Sequence, residues 1–390
     1  VRAALALLVS QRFLPLFITQ ALGAANDNLF KNALVVLALY HLAHAGPIIV
    51  ALAGGVFILP FALFASTAGQ LADKYEKSRL IRLTKFWELG LMLLAAAGFL
   101  SGSITALMLV LFGLGIQATF FSPLKYGILP DLLTGQDLIA GNGLIEAGTF
   151  LAILAGTIAG GAFLLLSTAA VAIAGLIVSV LGIIAAYFVP RVPAAAPGLR
   201  IGWNIPRETG GILAAARANR PVWLAILGIS WFWAVGATLL AELPTIARDC
   251  LHAGGHTVTL MLACFSIGIG AGSILCAGLL KGKISARFTP WAALGISLFT
   301  FDFGHAASLG GALHSVPAIL HSWTGRRILA DLLLLSACGG VYSVPLYVIL
   351  QEQSVASHRS RMVAANNVMN ALFMTAAALA TAGLYAAIPS

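Results

Sequence analysis

The side chains with the most chemical potential in this 390-residue sequence stand a helical turn apart inside apolar runs. Asp27 and Lys31 are spaced i, i+4, and so are Asn142 and Glu146, so on helices each pair shares one face. Asn26, Asn28 and Asn32 make the first of these segments polar, and Thr149 falls on roughly the same face as the second. Lys125 follows Pro123, Lys85 and Glu88 stand at i, i+3, and so do Asp302 and His305. Glu242 precedes Leu243-Pro244, where a helix is expected to break, and Asn366, Asn367 and Asn370 open the last apolar run. Carboxylates, ammonium groups and carboxamides set out in this way fit the binding of charge and the movement of protons inside a membrane. They do not fit bond breaking: there is no GxSxG, no HExxH and no Walker-type glycine loop. The sequence therefore predicts no catalytic residues, no metal centre and no cofactor.

Each of these groups also has a plainer reading. Asp27 and Lys31 either serve a translocation path or neutralise each other as a structural pair. Glu146 is either a site for an amine or a proton, or a glutamate bonded to a neighbouring span. Lys125 either binds phosphate or snorkels to the interface. Lys85 with Glu88 reads as a structural pair near the membrane edge, and Asp302 with His305 as a satisfied polar pair near an outer end. Trp231-Phe232-Trp233 reads as core or lipid-facing packing, with rings on which an ammonium can also sit. Cys250, Cys264, Cys276 and Cys338 lie mostly in apolar runs and read as small core residues. His41 and His44 read as ordinary loop histidines.

The elements that position these residues follow from composition. The chain is 60% apolar and only 9% charged, with mean hydropathy +0.98, whereas soluble domains carry about 25% charged residues. The net charge of +9 sits in short loops rather than on one solvated face, which excludes a nucleic-acid binder. An all-α polytopic membrane protein is predicted. Because about 20 apolar residues cross a bilayer, eleven spans are expected near 13–40, 47–71, 82–101, 104–128, 140–166, 168–190, 222–245, 256–281, 289–309, 326–350 and 362–388. The polar gap at 191–221 reads as a linker, giving a six-span half over 1–190 and a second half over 222–390 with five spans. Of the 22 basic residues, 18 fall on the side of the N-terminus and linker, three fall opposite, and Lys31 lies within a span. That bias places the N-terminus in the cytoplasm.

Residue 1 is Val, which reads as a cut or processed start, and the odd span count suggests that a twelfth span is missing. The segment 121–129 aligns with 342–350 at an offset of 221; Ser122, Tyr126, Ile128 and Leu129 find counterparts in Ser343, Tyr347, Ile349 and Leu350. Further on, Ala140 and Asn142 fall opposite Ala365 and Asn367. Such a parallel repeat about the membrane normal is how transporters of the major facilitator type are built.

Between spans 2 and 3 the chain reads Gly69-Gln70-Leu71-Ala72-Asp73-Lys74-Tyr75-Glu76-Lys77-Ser78-Arg79. This resembles the signature loop of the major facilitator superfamily, with Glu76 replacing the second glycine. Gly69, Asp73, Lys77 and Arg79 are the expected conformational switch, Asp73 facing a helix N-terminus or an arginine in one state only. Asn26-Asp27-Asn28, the segment 122–129 and Gly141-Asn142-Gly143-Leu144-Ile145-Glu146-Ala147 resemble the bacterial lysophospholipid transporter branch. Segments 230–233, 265–270 and 357–370 are similar to a subtype fused to a phospholipid acyltransferase and an acyl-carrier-protein synthetase. Leu239-Leu240, followed by Glu242, stands where the stand-alone transporters place an arginine.

The resemblance implies flipping of lyso-phosphatidylethanolamine and lyso-phosphatidylglycerol across the bacterial inner membrane, by alternating access, for re-acylation inside. A zwitterionic headgroup needs both signs of charge along its path. Asp27, Asn28, Lys31, Lys125, Asn142, Glu146 and Asn367 are the candidate path. The implied partners are the lysophospholipid, the bilayer and acyltransferase parts beyond Ser390, with no nucleic acid. Two alternatives stay open: a proton-coupled exporter of small amphipathic solutes, and a membrane scaffold that gathers substrate for a fused acyltransferase.

Overall fold

A computed structural model describes residues 2–41, 46–311 and 313–387. Eleven helices of twenty residues or more dominate the described residues. They are α2 (Leu14–His41), α3 (Gly46–Lys74), α4 (Lys77–Ser101), α5 (Ile104–Leu132), α6 (Gly135–Leu166), α7 (Thr168–Tyr187), α9 (Arg220–Thr245), α10 (Gly255–Leu280), α11 (Thr289–Ser308), α13 (Trp323–Glu352) and α14 (Arg359–Ala387). Three short helices accompany them: α1 (Arg2–Leu8), α8 (Ile205–Ala218) and α12 (Val316–His321). Nine of the long helices hold a stretch long and apolar enough to cross a membrane, all but α2, which carries the polar cluster around Asp27, and α11. His41 closes α2 instead of lying in a loop, and His44 and Ser390 fall outside the described residues.

Helix ends follow local chemistry. Ser103, Ser167 and Ser322 cap α5, α7 and α13 by accepting bonds from the first-turn amides of Ala106, Ala170 and Gly325. Glu76 caps α4, taking the amides of Ser78 and Arg79 at 2.9 and 3.0 Å. Its φ of −64° is ordinary extended backbone, so the turn has no need of the glycine that the signature loop carries there.

Two expectations are corrected. Pro244 does not break α9 at Glu242: the helix runs on to Thr245 and passes into a π-turn over Ile246–Cys250, while Glu242 accepts a 2.5 Å bond from the Tyr385 hydroxyl of α14. The 191–221 segment is not bare linker, because Asn204 caps α8 and Pro206 sits in its first turn. That helix buries Ile212 and Ala216 against α3, α9 and α14. Gln70 fastens the segment by exchanging two bonds with the backbone of Gly202.

The packing repeats. α6 packs on α2 and α10, and α14 packs on α9 and α3, so helices of equivalent order make equivalent contacts. α3 meets α14 and α6 meets α10 closely towards the end carrying loops 75–76 and 353–358, here termed the basic end. A Cβ at Gly69 would lie 2.7 Å from Ala364 Cβ, and one at Gly143 would lie 2.5 Å from the Ser273 carbonyl oxygen. Towards the other end of α3, a Cβ at Gly54 or Gly55 would meet nothing within 4 Å. α3 with α14, and α6 with α10, are thus tightly packed at the basic end.

Candidate functional site

Two sets of charged groups between the helices contrast. Those at the basic end are paired. Asp73, fully buried, accepts from the Ser360 and Arg361 amides at 2.9 and 3.3 Å and from Arg361 Nε at 3.0 Å. Both amides belong to the first turn of α14, so the carboxylate meets a helix N-terminus and an arginine together. Asp131 takes Lys77 Nζ at 3.3 Å and the Arg359 guanidinium at 3.0 Å, and Arg359 Nε also reaches the Gln351 carbonyl at 3.1 Å. Arg79 stands apart, exposed, with only its amide engaged by Glu76.

Above this zip lies a bonded layer that crosses from the earlier to the later helices. Asn142 on α6 and Gln351 on α13 exchange two bonds, at 2.7 and 3.0 Å. Ser122 on α5 donates to Asn367 on α14 at 3.1 Å. The repeat partners Tyr126 and Tyr347 stack face to face, ring centroids 4.5 Å apart and 7° from parallel. Tyr126 donates to Glu146 at 3.0 Å, and Trp233 Nε1 donates to Tyr347 at 2.8 Å. Phe150 then stacks on Trp233 and meets Phe265 edge-on. Asn142 is thereby spent on a latch, and the aromatic run on α9 is packed rather than lipid-facing.

The second set is unpaired. Asp27, Lys31 and Lys125 are each partly exposed, and none has an oppositely charged group within ion-pair distance among the described residues. Asp27 and Lys31, though one turn apart, do not close on each other. Asp27 Oδ1 is buried without a hydrogen-bond partner, as are Glu146 Oε2, Asn366 Oδ1 and Asn367 Nδ2. Lys125 Nζ lies 4.5 Å from the centroid of the Tyr126 ring. Asn28 turns back to the Ala24 carbonyl at 2.8 Å, satisfying its amide on its own helix. Leaving such groups unmatched is expensive unless something else meets them.

Other sequence readings land differently. Lys85 and Glu88 do form a pair, at 2.6 Å, but deep among α2, α4, α5 and α7 rather than at an edge, with side chains 0% and 1% exposed. Asp302 pairs with Arg327 of α13 and not with His305, which is exposed. Sequence reasoning missed Tyr126, Tyr347, Gln351 and Trp233 as members of the crossing layer. The repeat held the signal for two of them, since the tyrosine is one of the few side chains it keeps in both copies.

Among the described residues no three His, Cys, Asp or Glu side chains come together to hold a metal ion. Residues 16–379 match the Major Facilitator Superfamily profile. This chain belongs to that superfamily. It is 31% identical over 353 residues to the lysophospholipid transporter LplT of Escherichia coli O157:H7, covering 87% of this chain and 80% of that protein. Its fold matches the human organic anion transporter MFSD10 with a TM-score of 0.78 at 15% identity, over 96% of this chain and 93% of that one. It also matches the transporter FucP in its outward conformation with a TM-score of 0.70 at 13% identity, over 96% and 92%. A multi-pass membrane transporter is the result, and the pairing pattern above becomes a pattern within a transport protein.

Proposed function

We propose that this protein flips lysophospholipids, lyso-phosphatidylethanolamine and lyso-phosphatidylglycerol, to the cytoplasmic leaflet of a bacterial inner membrane. The likeness to the lysophospholipid transporter supports the substrate class. The observation that carries the mechanism is the row of unmatched charge. By helical rise from the basic end of each helix, Lys125 stands at about 10 Å, Glu146 at about 16 Å, Asp27 at about 20 Å and Lys31 at about 25 Å. The order along the axis is plus, minus, minus, plus. A headgroup carrying one phosphate and one ammonium is met first by Lys31 and Asp27, one turn apart, and then by Lys125 and Glu146. Glu146 has one oxygen held by Tyr126 and one free for the ammonium. Asn367 Nδ2 adds a donor beside the inner pair. The single acyl chain stays against apolar surface, where leaving it costs nothing, so only the headgroup needs a polar route.

Alternating access supplies the rest of the cycle. The first half is 1–190, the second is 222–390, and 191–221 joins them on the cytoplasmic side, which is the basic end. In the state described, that end is zipped through Asp73 and Asp131, the Asn142–Gln351 latch and the tyrosine stack. Arrival of the headgroup at Lys125 and Glu146 competes for Tyr126 and loosens the layer. Acyltransferase and acyl-carrier-protein synthetase parts, fused or associated, then consume the product. Replacement of the span-7 arginine by Leu239-Leu240 leaves Lys31 and Lys125 as the cations available to phosphate.

The test uses proteoliposomes with labelled lyso-phosphatidylethanolamine in the outer leaflet and diacyl lipid as control. Fast inward movement of the lysolipid alone is expected. Movement no faster than in protein-free liposomes overturns the reading and favours the scaffold; collapse with a pH gradient and indifference to lysolipid favours the exporter.

A further inference from the structure

The buried pair Lys85–Glu88 lies outside the path just described, and its surroundings assign it a task. Glu88 is oversupplied with donors: Asn26 reaches Oε1 at 2.9 Å, while Lys85 at 2.6 Å and Gln117 at 3.3 Å both reach Oε2. Asn26 is itself braced by Ser179, and Gln117 by the Thr84 carbonyl. Glu88 therefore keeps an amide donor on each oxygen if Lys85 departs. Lys85, by contrast, sits on a flexible stem in space cleared by a glycine. A Cβ at Gly23 of α2 would lie 2.5 Å from Lys85 Nζ, so the ammonium rests directly against that face of the helix. One turn further along the same face stands Asp27, about 5–6 Å away at the Cβ level, with Oδ1 buried and without a partner.

We propose that Lys85 exchanges Glu88 for Asp27 when the carrier closes over Asp27 with no headgroup ammonium on it, the state described being the one in which Lys85 still rests on Glu88. The proposal rests on the reading that Asp27 receives that ammonium. A carrier that has released its cargo must reset with Asp27 enclosed, and a bare enclosed carboxylate opposes that step. Lys85 neutralises it from within, and Glu88, still bonded by Asn26 and Gln117, tolerates the loan. Lys31, one turn beyond Asp27 on its partly exposed side, remains for phosphate. Lys85 is thus a positioning residue for the empty carrier and touches no substrate.

The experiment separates net movement from exchange. The Lys85→Gln/Glu88→Gln double variant keeps two neutral carboxamides that can bond each other, so the helix contact is preserved while the mobile cation is lost. Net inward movement of labelled lyso-phosphatidylethanolamine into liposomes lacking it inside should fall at least about tenfold. Exchange against unlabelled lysolipid already present in the inner leaflet, where the carrier returns loaded, should stay within about twofold of the wild-type protein. Equal loss of both rates makes the pair structural only, and preservation of both makes Lys85 irrelevant to Asp27; either result overturns the proposal. Failure of the underlying reading shows separately, as a wild-type protein that moves no lysolipid.

Discussion

The zip at the basic end and the charge row above it use the same residue types to opposite effect. At the zip, Asp73 and Asp131 meet five donors between them, including two amides from the first turn of α14 and the cations Lys77, Arg359 and Arg361. In the row, Asp27, Lys31 and Lys125 have no ion-pair partner among the described residues, and Glu146 has one oxygen unmet. The two regions share α5, which carries both Asp131 and Lys125; the zip otherwise joins α3, α4 and α14, and the row draws on α2 and α6. A paired buried carboxylate holds two elements together, and breaking it costs the conformation that it holds. An unpaired one is destabilising alone and gains most when an outside charge arrives. The comparison divides the residues into those that hold a state and those that receive cargo.

The sharpest break in that division comes from neutralising the receivers. Asp27→Asn and Lys125→Gln should each lower lysolipid flipping by at least about 30-fold, the usual scale for removing one member of a desolvated charge pair. Their melting temperatures should not fall, since neither residue closes an ion pair in the state described. A variant that loses stability and flipping together would place its residue with the holders.

Asp73→Asn should do the reverse. Losing charge-assisted bonds of about 1.5–3 kcal/mol shifts the balance toward the state open at the basic end by about 10- to 150-fold. Spin labels at the exposed positions Tyr75 and Val355 should then report longer distances, with lysolipid affinity retained. The latch sharpens the same point at smaller scale. Asn142→Leu leaves Gln351 without its two bonds, so the open state should gain by about fivefold to tenfold, read by the same labels.

The smallest effect belongs to Glu76, in the loop outside the spans. Partial burial pushes its carboxyl up, but the hydrogen bonds from Ser78, Val192 and Arg79 outweigh that and hold it below the usual range. A depressed folded value means that the stabilisation is fully present above the ordinary carboxylate range and fades as pH falls through the lower, folded value. Glu76→Gln should remove this acid-side step in a melting-temperature profile at a cost of about 1 kcal/mol or less.

How much of this the sequence carried differs by level. Eleven long helices were legible because an apolar run of about 20 residues has one common solution in lipid. Asp27, Lys31, Lys125 and Glu146 were legible because ionisable groups in such runs stand out. The Gly69–Arg79 loop was legible by its spacing, although its partners Ser360 and Arg361 lie almost 290 residues away and only the fold brings them near. The layer of Tyr126, Tyr347, Trp233 and Gln351 was hidden because aromatics in apolar runs are indistinguishable from core. Lys85–Glu88 was misplaced for a related reason: periodicity along α4 does not say that three other helices close over it. Helix α8 escaped because Gly210 and Gly211 weaken its interior propensity, and tertiary contact through Ile212 and Ala216 decides it.

One measurement bears on the division most directly: the melting-temperature shift produced by lyso-phosphatidylethanolamine in purified wild-type, Asp27→Asn and Asp73→Asn proteins. Cargo binding to unmatched charge predicts a clear upward shift in the wild type, its loss in Asp27→Asn and its retention in Asp73→Asn. A shift retained in Asp27→Asn, or lost in Asp73→Asn alone, would contradict the account.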